Sequence, residues 1–251
     1  MTAPSAVTLS LHALRGRTGR GVRVAVIDSG VHADHPHVGG ISGGVAIDAD
    51  GALTSDLIDR LGHGTAVAAA IREKAPGVEL LAVKVFDQSL TSTGRALVDG
   101  IVWSADQGVH IINLSLGTLN QDHAEPLTAA VRYATSHGAI VVSAAPQPDA
   151  AWLPGGLAGV VAVDVNWSGS RDVCDIQLDE QGSLRVMASG YPRPIPGVPP
   201  ERNFRGLSFA VANATGLLAL ALDAHPETPA STLADALRGM LAIAQSSTAV
   251  S

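Results

Sequence analysis

Largely apolar runs of strand length constrain this chain more than any other feature. They lie at residues 22–27 (VRVAVI), 79–86 (ELLAVKVF), 109–114 (VHIINL), 139–144 (AIVVSA) and 159–163 (GVVAV). None keeps the apolar–polar alternation of a half-exposed strand, so each must be shielded from water on both faces. Between them, residues 64–74, 94–107 and 124–137 carry Ala, Val, Ile and Leu at helical spacing. Strand–helix–strand alternation with buried strands predicts a mainly parallel central sheet with helices on both sides, an α/β fold of three α/β/α layers. Aromatic residues make up only 3% of the chain. The core must therefore be built from small aliphatic side chains, which let helices lie close to a sheet.

From Leu184 the chain changes character. LRVMASGYPRPIPGVPPERNFRG is dense in Pro and Gly and is predicted to be an ordered surface loop rather than regular structure. A very apolar helix, Leu207–Ala224, should follow and stop at His225-Pro226, with a last amphipathic helix at about 229–244 and frayed ends at about 1–5 and 246–251. No internal repeat or linker divides residues 1–251, so a single domain is expected. The formal net charge is −7 and there is no Lys/Arg run, which argues against nucleic acid or an anionic membrane as a partner. No apolar run reaches the roughly 18 residues of a membrane span. A single cysteine, Cys174, rules out an internal disulfide and suits a reducing compartment. The first residues, MTAPSAVTLSLHALRGRTGRG, lack the apolar stretch of a secretion signal. The expectation is a soluble cytoplasmic protein.

Three segments put a reactive side chain at the edge of a buried element. In VAVIDSGV, Asp28 ends an apolar strand, the place where parallel sheets build their sites; taken alone it reads as a turn-forming Asp. In RLGHGTAVAAAI, His63 stands between glycines at the head of an alanine-rich helix, and alone it is equally a helix-end histidine. In FRGLSFAVANATG, Ser208 opens the apolar helix among free backbone N–H groups, where an ordinary capping serine also belongs. Together they are far more specific. An Asp that orients a His, a His that takes a proton and a Ser that attacks make a nucleophilic relay, and the chain order Asp–His–Ser is that of the subtilisin arrangement.

Over about residues 21–224 the chain resembles the subtilisin-like serine peptidases, the subtilase family. VAVIDSGV with DHPHV is similar to the family's Asp segment, GHGTAVA to its His segment, IINLSLG to the strand beside the substrate, and RVMASGY with GLSFAVANATG to the approach to the nucleophile. The resemblance implies Asp28, His63 and Ser208 as catalytic residues and no cofactor. It implies that Ser115, Leu116 and Gly117 form one wall of a substrate cleft. The segment 88–94, with Ser89, Leu90 and Thr91, would be the opposing edge, and Ala144 with the residues to Gly156 would shape a pocket. A peptide held between two such edges is bound as an added strand. Without the resemblance, SLG is simply a strand end.

The chain also departs from the family. Where the resemblance implies an Ala-Ala-Gly-Asn run whose Asn holds the oxyanion, this sequence reads SAAPQPD. Gln147 is the replacement candidate, with the Ser208 backbone N–H as the other donor; losing such a donor costs about 10²–10³ in turnover. The stretch AAAIREKAPGVELL is too short and too poor in oxygen ligands for the calcium loop common in relatives, which needs about 6–8 of them. His32, His35 and His37 are irregularly spaced around a proline, so no metal is expected. GRTGRG precedes its strand instead of following it, against a phosphate loop. Cys174 reads as inert, and Asp122, His123 and Glu125 as a helix start. The function expected is peptide-bond hydrolysis on a peptide or protein substrate by a dedicated intracellular processing enzyme, as in leader or precursor-peptide maturation. The rival is a subtilisin fold kept for peptide or partner binding, and a third reading is an enzyme completed by an accessory protein.

Overall fold

The computed structural model describes residues 7–90, 92–147, 149–178, 183–199 and 202–224; the predicted helix at 229–244, the predicted frayed ends and Thr91 lie outside them. The strands are β1 (Val7–Ser10), β2 (Arg23–Asp28), β3 (Gly43–Ile47), β4 (Leu53–Thr54), β5 (Glu79–Lys84), β6 (Ile111–Leu114), β7 (Ile140–Ala144), β8 (Val160–Val165), β9 (Val173–Leu178) and β10 (Leu184–Ala188). The helices are α1 (His63–Lys74), α2 (Gly94–Asp106), α3 (Ala124–Ser136) and α4 (Leu207–Ala224).

Successive side chains of a strand point to opposite faces, and here both faces meet helices. Val24 and Val26 of β2 enter one core with α1 and α4, while Ala25 and Ile27 enter a second core with α2 and α3. Layers of helix, sheet and helix follow. α4 is apolar on every side because it is enclosed on every side: Phe209, Leu217, Leu218 and Leu220 are all buried. Burying a side chain of this size stabilises by about 1.5–3 kcal/mol.

The strands form a single sheet in the order β1-β9-β10-β8-β7-β6-β2-β5-β3-β4. From β10 to β3 every neighbouring pair is parallel; only the edge pairs β1/β9, β9/β10 and β3/β4 are antiparallel. The chain lays β5 on one side of β2 and then crosses by way of α2 to lay β6 on the other. That reversal opens a crevice at the carboxyl ends of β2 and β6, where ligands bind in such sheets.

Within the described residues the anticipated strands and helices form, with ends moved by one or two residues. One expectation is corrected. Residues predicted as the start of a loop form β10, which pairs with β8 and β9. Leu184, Val186 and Ala188 are buried while Arg185 and Met187 are half-buried, a strand alternation overshadowed by the Pro/Gly-rich segment after it. The outer strands β1 and β9 at one side of the sheet and β3 and β4 at the other were not anticipated, because they are short, half-exposed or glycine-rich and give weak periodicity.

Two buried groups complete the scaffold. Lys74 at the end of α1 is buried, and its Nζ lies 2.7 Å from Asp172 Oδ1 and 3.4 Å from Glu73 Oε2. Arg171 also clasps Glu73, so the buried charge is paired and α1 is tied to the turn before β9. The thiol of Cys174 is fully buried and pushed up to about 12 by burial, with Asp175 adding to the effect. It stays protonated and unreactive.

Candidate active site

Asp28 is the last residue of β2 and is completely buried. Its Oδ1 accepts from the Ser29 backbone N–H at 2.7 Å, the Ser29 hydroxyl at 3.2 Å and His63 Nδ1 at 2.8 Å. A carboxylate only accepts, so the proton of the imidazole sits on Nδ1 and the lone pair is left on Nε2. Burial pushes the His63 pKa down. The hydrogen bond and charge of Asp28, with the charge of Asp59, outweigh it, and the net shift is upward from 6.5.

The contact exists because the head of α1 presses into the turn after β2. Gly62 precedes the helix at φ 76, a left-handed conformation that a side chain would strain. Gly64 makes the close approach: a Cβ there would stand 2.2 Å from the Gly30 carbonyl oxygen and 3.1 Å from Asp28 Cβ. A backbone oxygen cannot swing aside. Gly64→Ala is therefore expected to cost about 1–3 kcal/mol of stability, as overpacked sites do, and to displace His63 from Asp28. Urea denaturation checks it, and unchanged stability would refute the close packing.

Sequence reading missed Asp59, which ties this turn together. Its Oδ1 accepts from the backbone N–H groups of Leu61 and Gly62 and from the Ser29 hydroxyl, at 2.8–3.0 Å. Its Oδ2 accepts from Thr65 N at 2.8 Å and Thr65 Oγ1 at 2.6 Å. Ser29 Oγ in turn accepts from Gly64 N. An Asp placed to bond backbone N–H groups two and three residues on is an Asx-turn signal, available in the sequence but not tied to the histidine there.

Ser208 is the second residue of α4. Its hydroxyl donates to the Ser115 carbonyl at 3.0 Å, and the Ser115 hydroxyl donates to the Ser208 carbonyl at 3.3 Å. Among the described residues no hydrogen bond joins Ser208 to His63; the neighbouring Phe209 ring lies 5.8 Å from the imidazole, centre to centre. Behind Ser115, Asn113 Nδ2 donates to its hydroxyl at 2.9 Å, and Thr215 of α4 donates to Asn113 Oδ1 at 3.0 Å. Asn113 and Thr215 are fully buried and fasten the middle of α4 to the end of β6. Neither was singled out from sequence, since their partners lie on other elements.

Ser115, Leu116 and Gly117 continue from β6, backed by the Thr118–Leu153 backbone bridge of two 2.9 Å bonds. Ser89 and Leu90 are exposed ahead of α2, which Thr93 caps. Ala144 ends β7 and is buried, with Gly155 packed on its carbonyl. Gln147 is exposed, pairs its backbone with Ala150 and donates its side-chain amide to the Ala145 carbonyl at 3.2 Å. One of its two amide N–H groups is thus engaged within its own loop. Among the described residues no group of three His, Cys, Asp or Glu is placed to hold a metal, and no helix is long and apolar enough to cross a membrane.

Residues 19–150 match the model of the subtilase family. The chain is 33% identical over 214 residues to subtilisin Savinase of Lederbergia lenta, covering 81% of this chain and 74% of that protein. It is 33% identical to an alkaline protease of Alkalihalobacillus alcalophilus, of which the match spans 52%. Among solved structures, a prenylagaramide maturation protease superposes with a TM-score of 0.67 at 24% identity, covering 90% of this chain and 86% of that one. A lanthipeptide protease does so with 0.66 at 21% identity, covering 91% and 81%. At these identities the two structures establish the fold.

Proposed function

Because this chain belongs to the subtilase family of serine peptidases, we propose that Asp28, His63 and Ser208 act together as its catalytic triad and that it is an endopeptidase of precursor-peptide processing. The observation that carries the reading is the 2.8 Å contact of His63 Nδ1 with buried Asp28, which leaves Nε2 to serve as the base. The reaction requires the Ser208 hydroxyl to turn from the Ser115 carbonyl to Nε2. His63 takes its proton as Oγ attacks the scissile carbonyl carbon. The oxyanion is held by the Ser208 N–H at the positive end of α4, joined by Gln147 once its amide leaves Ala145. His63 then gives its proton to the departing amine, and water, deprotonated by the same imidazole, releases the acyl group. No cofactor enters.

Assignment to precursor maturation draws on two proteins that share this fold and are described as a lanthipeptide protease and a prenylagaramide maturation protease. A cytoplasmic setting fits the single buried thiol. A fluorophosphonate tests the chemistry, with an adduct mapped to Ser208 as the expected result. A second reading, a subtilisin fold kept for peptide or partner binding, is favoured by the engagement of the Ser208 hydroxyl with Ser115 and of the Gln147 amide with Ala145. Absence of any adduct would support it. If labelling appeared only with an added protein, an accessory partner would complete the site.

The base must be neutral, and the pKa of His63 is raised. Activity should therefore rise with pH through a value above 6.5 and fall as the imidazole protonates below it. A kcat/KM profile whose acid limb lies below 6.5 would contradict the assignment.

A further inference from the structure

β6 and β7 are parallel neighbours. The runs that leave their carboxyl ends, residues 115–118 and 145–147, therefore start about 4.8 Å apart, the spacing of paired strands. Residues 150–156 join the two runs. On one side Leu153 exchanges two backbone hydrogen bonds of 2.9 Å with Thr118. On the other, Gly155 is packed on the Ala144 carbonyl with no room for a Cβ. Between the runs lies a narrow slot, reached past the Ser115 carbonyl to which the Ser208 hydroxyl donates.

Trp152 brings the largest side chain to this place. A Cβ on Gly117 would stand 3.1 Å from Trp152 Cε3 and 2.7 Å from the Leu153 carbonyl oxygen, so the edge of the indole rests on the bare Cα of the wall. In an extended run, residues two apart share a face. Ser115, two before Gly117, turns its hydroxyl to the Ser208 carbonyl, which puts the indole on the nucleophile's side of the wall. The backbone under the ring is held in place. Trp152 N–H donates to the Ala150 carbonyl at 2.9 Å, and the Trp152 carbonyl accepts from Gly156 N–H at 3.0 Å. The Ala151 carbonyl accepts from the Gln121 amide at 3.0 Å. The ring is half-buried and leaves part of its surface to whatever enters. Around it, Gly117, Ala144, Ala145 and Pro146 are small and uncharged.

A peptide lying along residues 115–117 brings the side chain of the residue that acylates Ser208 to this slot. We infer that the indole of Trp152 fills it, so that the substrate carries glycine or alanine immediately before the cleaved bond. This rests on the serine-peptidase reading of Asp28, His63 and Ser208. A bulky side chain meets a ring whose backbone is tied to both walls and which has no space to retreat toward Gly117. A charged side chain would lose its hydration and gain no partner among these residues. The narrow entry thus sets a rule for the precursor: its cut follows a very small residue.

Peptide p-nitroanilides that differ only in the residue before the cleaved bond test the rule. The intact protein should hydrolyse the alanine substrate with a kcat/KM about 100-fold above that of the phenylalanine or leucine substrate, a scale that a single pocket reaches. Trp152→Ala should raise the Phe/Ala ratio of kcat/KM about 100-fold through faster hydrolysis of the phenylalanine substrate, and Trp152→Leu should raise it about 10-fold. A wild-type protein that prefers phenylalanine or leucine, or that treats all the substrates alike, overturns the inference before any variant is made. An unchanged Phe/Ala ratio in folded Trp152→Leu overturns it as well. If no substrate is hydrolysed, fluorophosphonate labelling of Ser208 decides the peptidase reading separately. Calorimetric binding of peptides ending in alanine or phenylalanine to the intact protein then decides the slot: tighter binding of the alanine peptide upholds it, and equal or reversed affinity overturns it.

Discussion

Replacing Ser208 by alanine is expected to lower kcat/KM by about 10⁶-fold, the scale on which a serine-peptidase triad fails without its nucleophile. The change removes one oxygen. Without it, His63 has no hydroxyl to deprotonate, and the remaining rate comes from substrate binding and oxyanion donors acting on water. The fold should survive. The Ser115 carbonyl loses the donor that now lies at 3.0 Å, a hydrogen bond of about 0.5–1.5 kcal/mol, while the Ser115–Asn113–Thr215 ties remain. The check combines peptide turnover, fluorophosphonate labelling and thermal unfolding. Retained labelling, or a loss under a hundredfold in a folded variant, would place the nucleophile elsewhere.

Asp28→Asn should cost about 10⁴-fold, because an amide at this position favours the wrong tautomer. Asn can donate to Nδ1, which would move the imidazole proton to Nε2 and leave no base facing Ser208. The variant also separates electrostatics from packing. With the Asp28 hydrogen bond and charge gone, burial opposes only the weaker pull of Asp59, so the His63 pKa should fall. The acid limb of whatever activity remains should shift to lower pH. A profile with the wild-type limb would mean that the titrating group is not His63 held by Asp28.

Much of this architecture was legible in order along the chain. The apolar runs became β2, β5, β6, β7 and β8, and α4 runs over the predicted Leu207–Ala224. Two-sided burial leaves a mark on every residue of a strand or helix, so it can be read locally. LRVMA was misread because its five-residue alternation is brief beside the prolines that follow. Asp28 and His63, named from separate motifs, do meet. Asp59, Asn113 and Thr215 gave little warning. A polar residue that works by bonding another element looks like any polar residue until that element is beside it.

Local chemistry, then, determined the succession of strands and helices and the two motif residues that face each other across the site. Periodicity and turn residues act over a few positions, and that information is complete in the chain itself. The sheet order decided the rest. It pressed Gly64 against the Gly30 carbonyl, turned the Ser208 hydroxyl toward Ser115, kept the Gln147 amide on its own loop, and set the Trp152 ring against Gly117. Each of these depends on ångström-scale distances between segments far apart in sequence, and such distances exist only once the layers have packed.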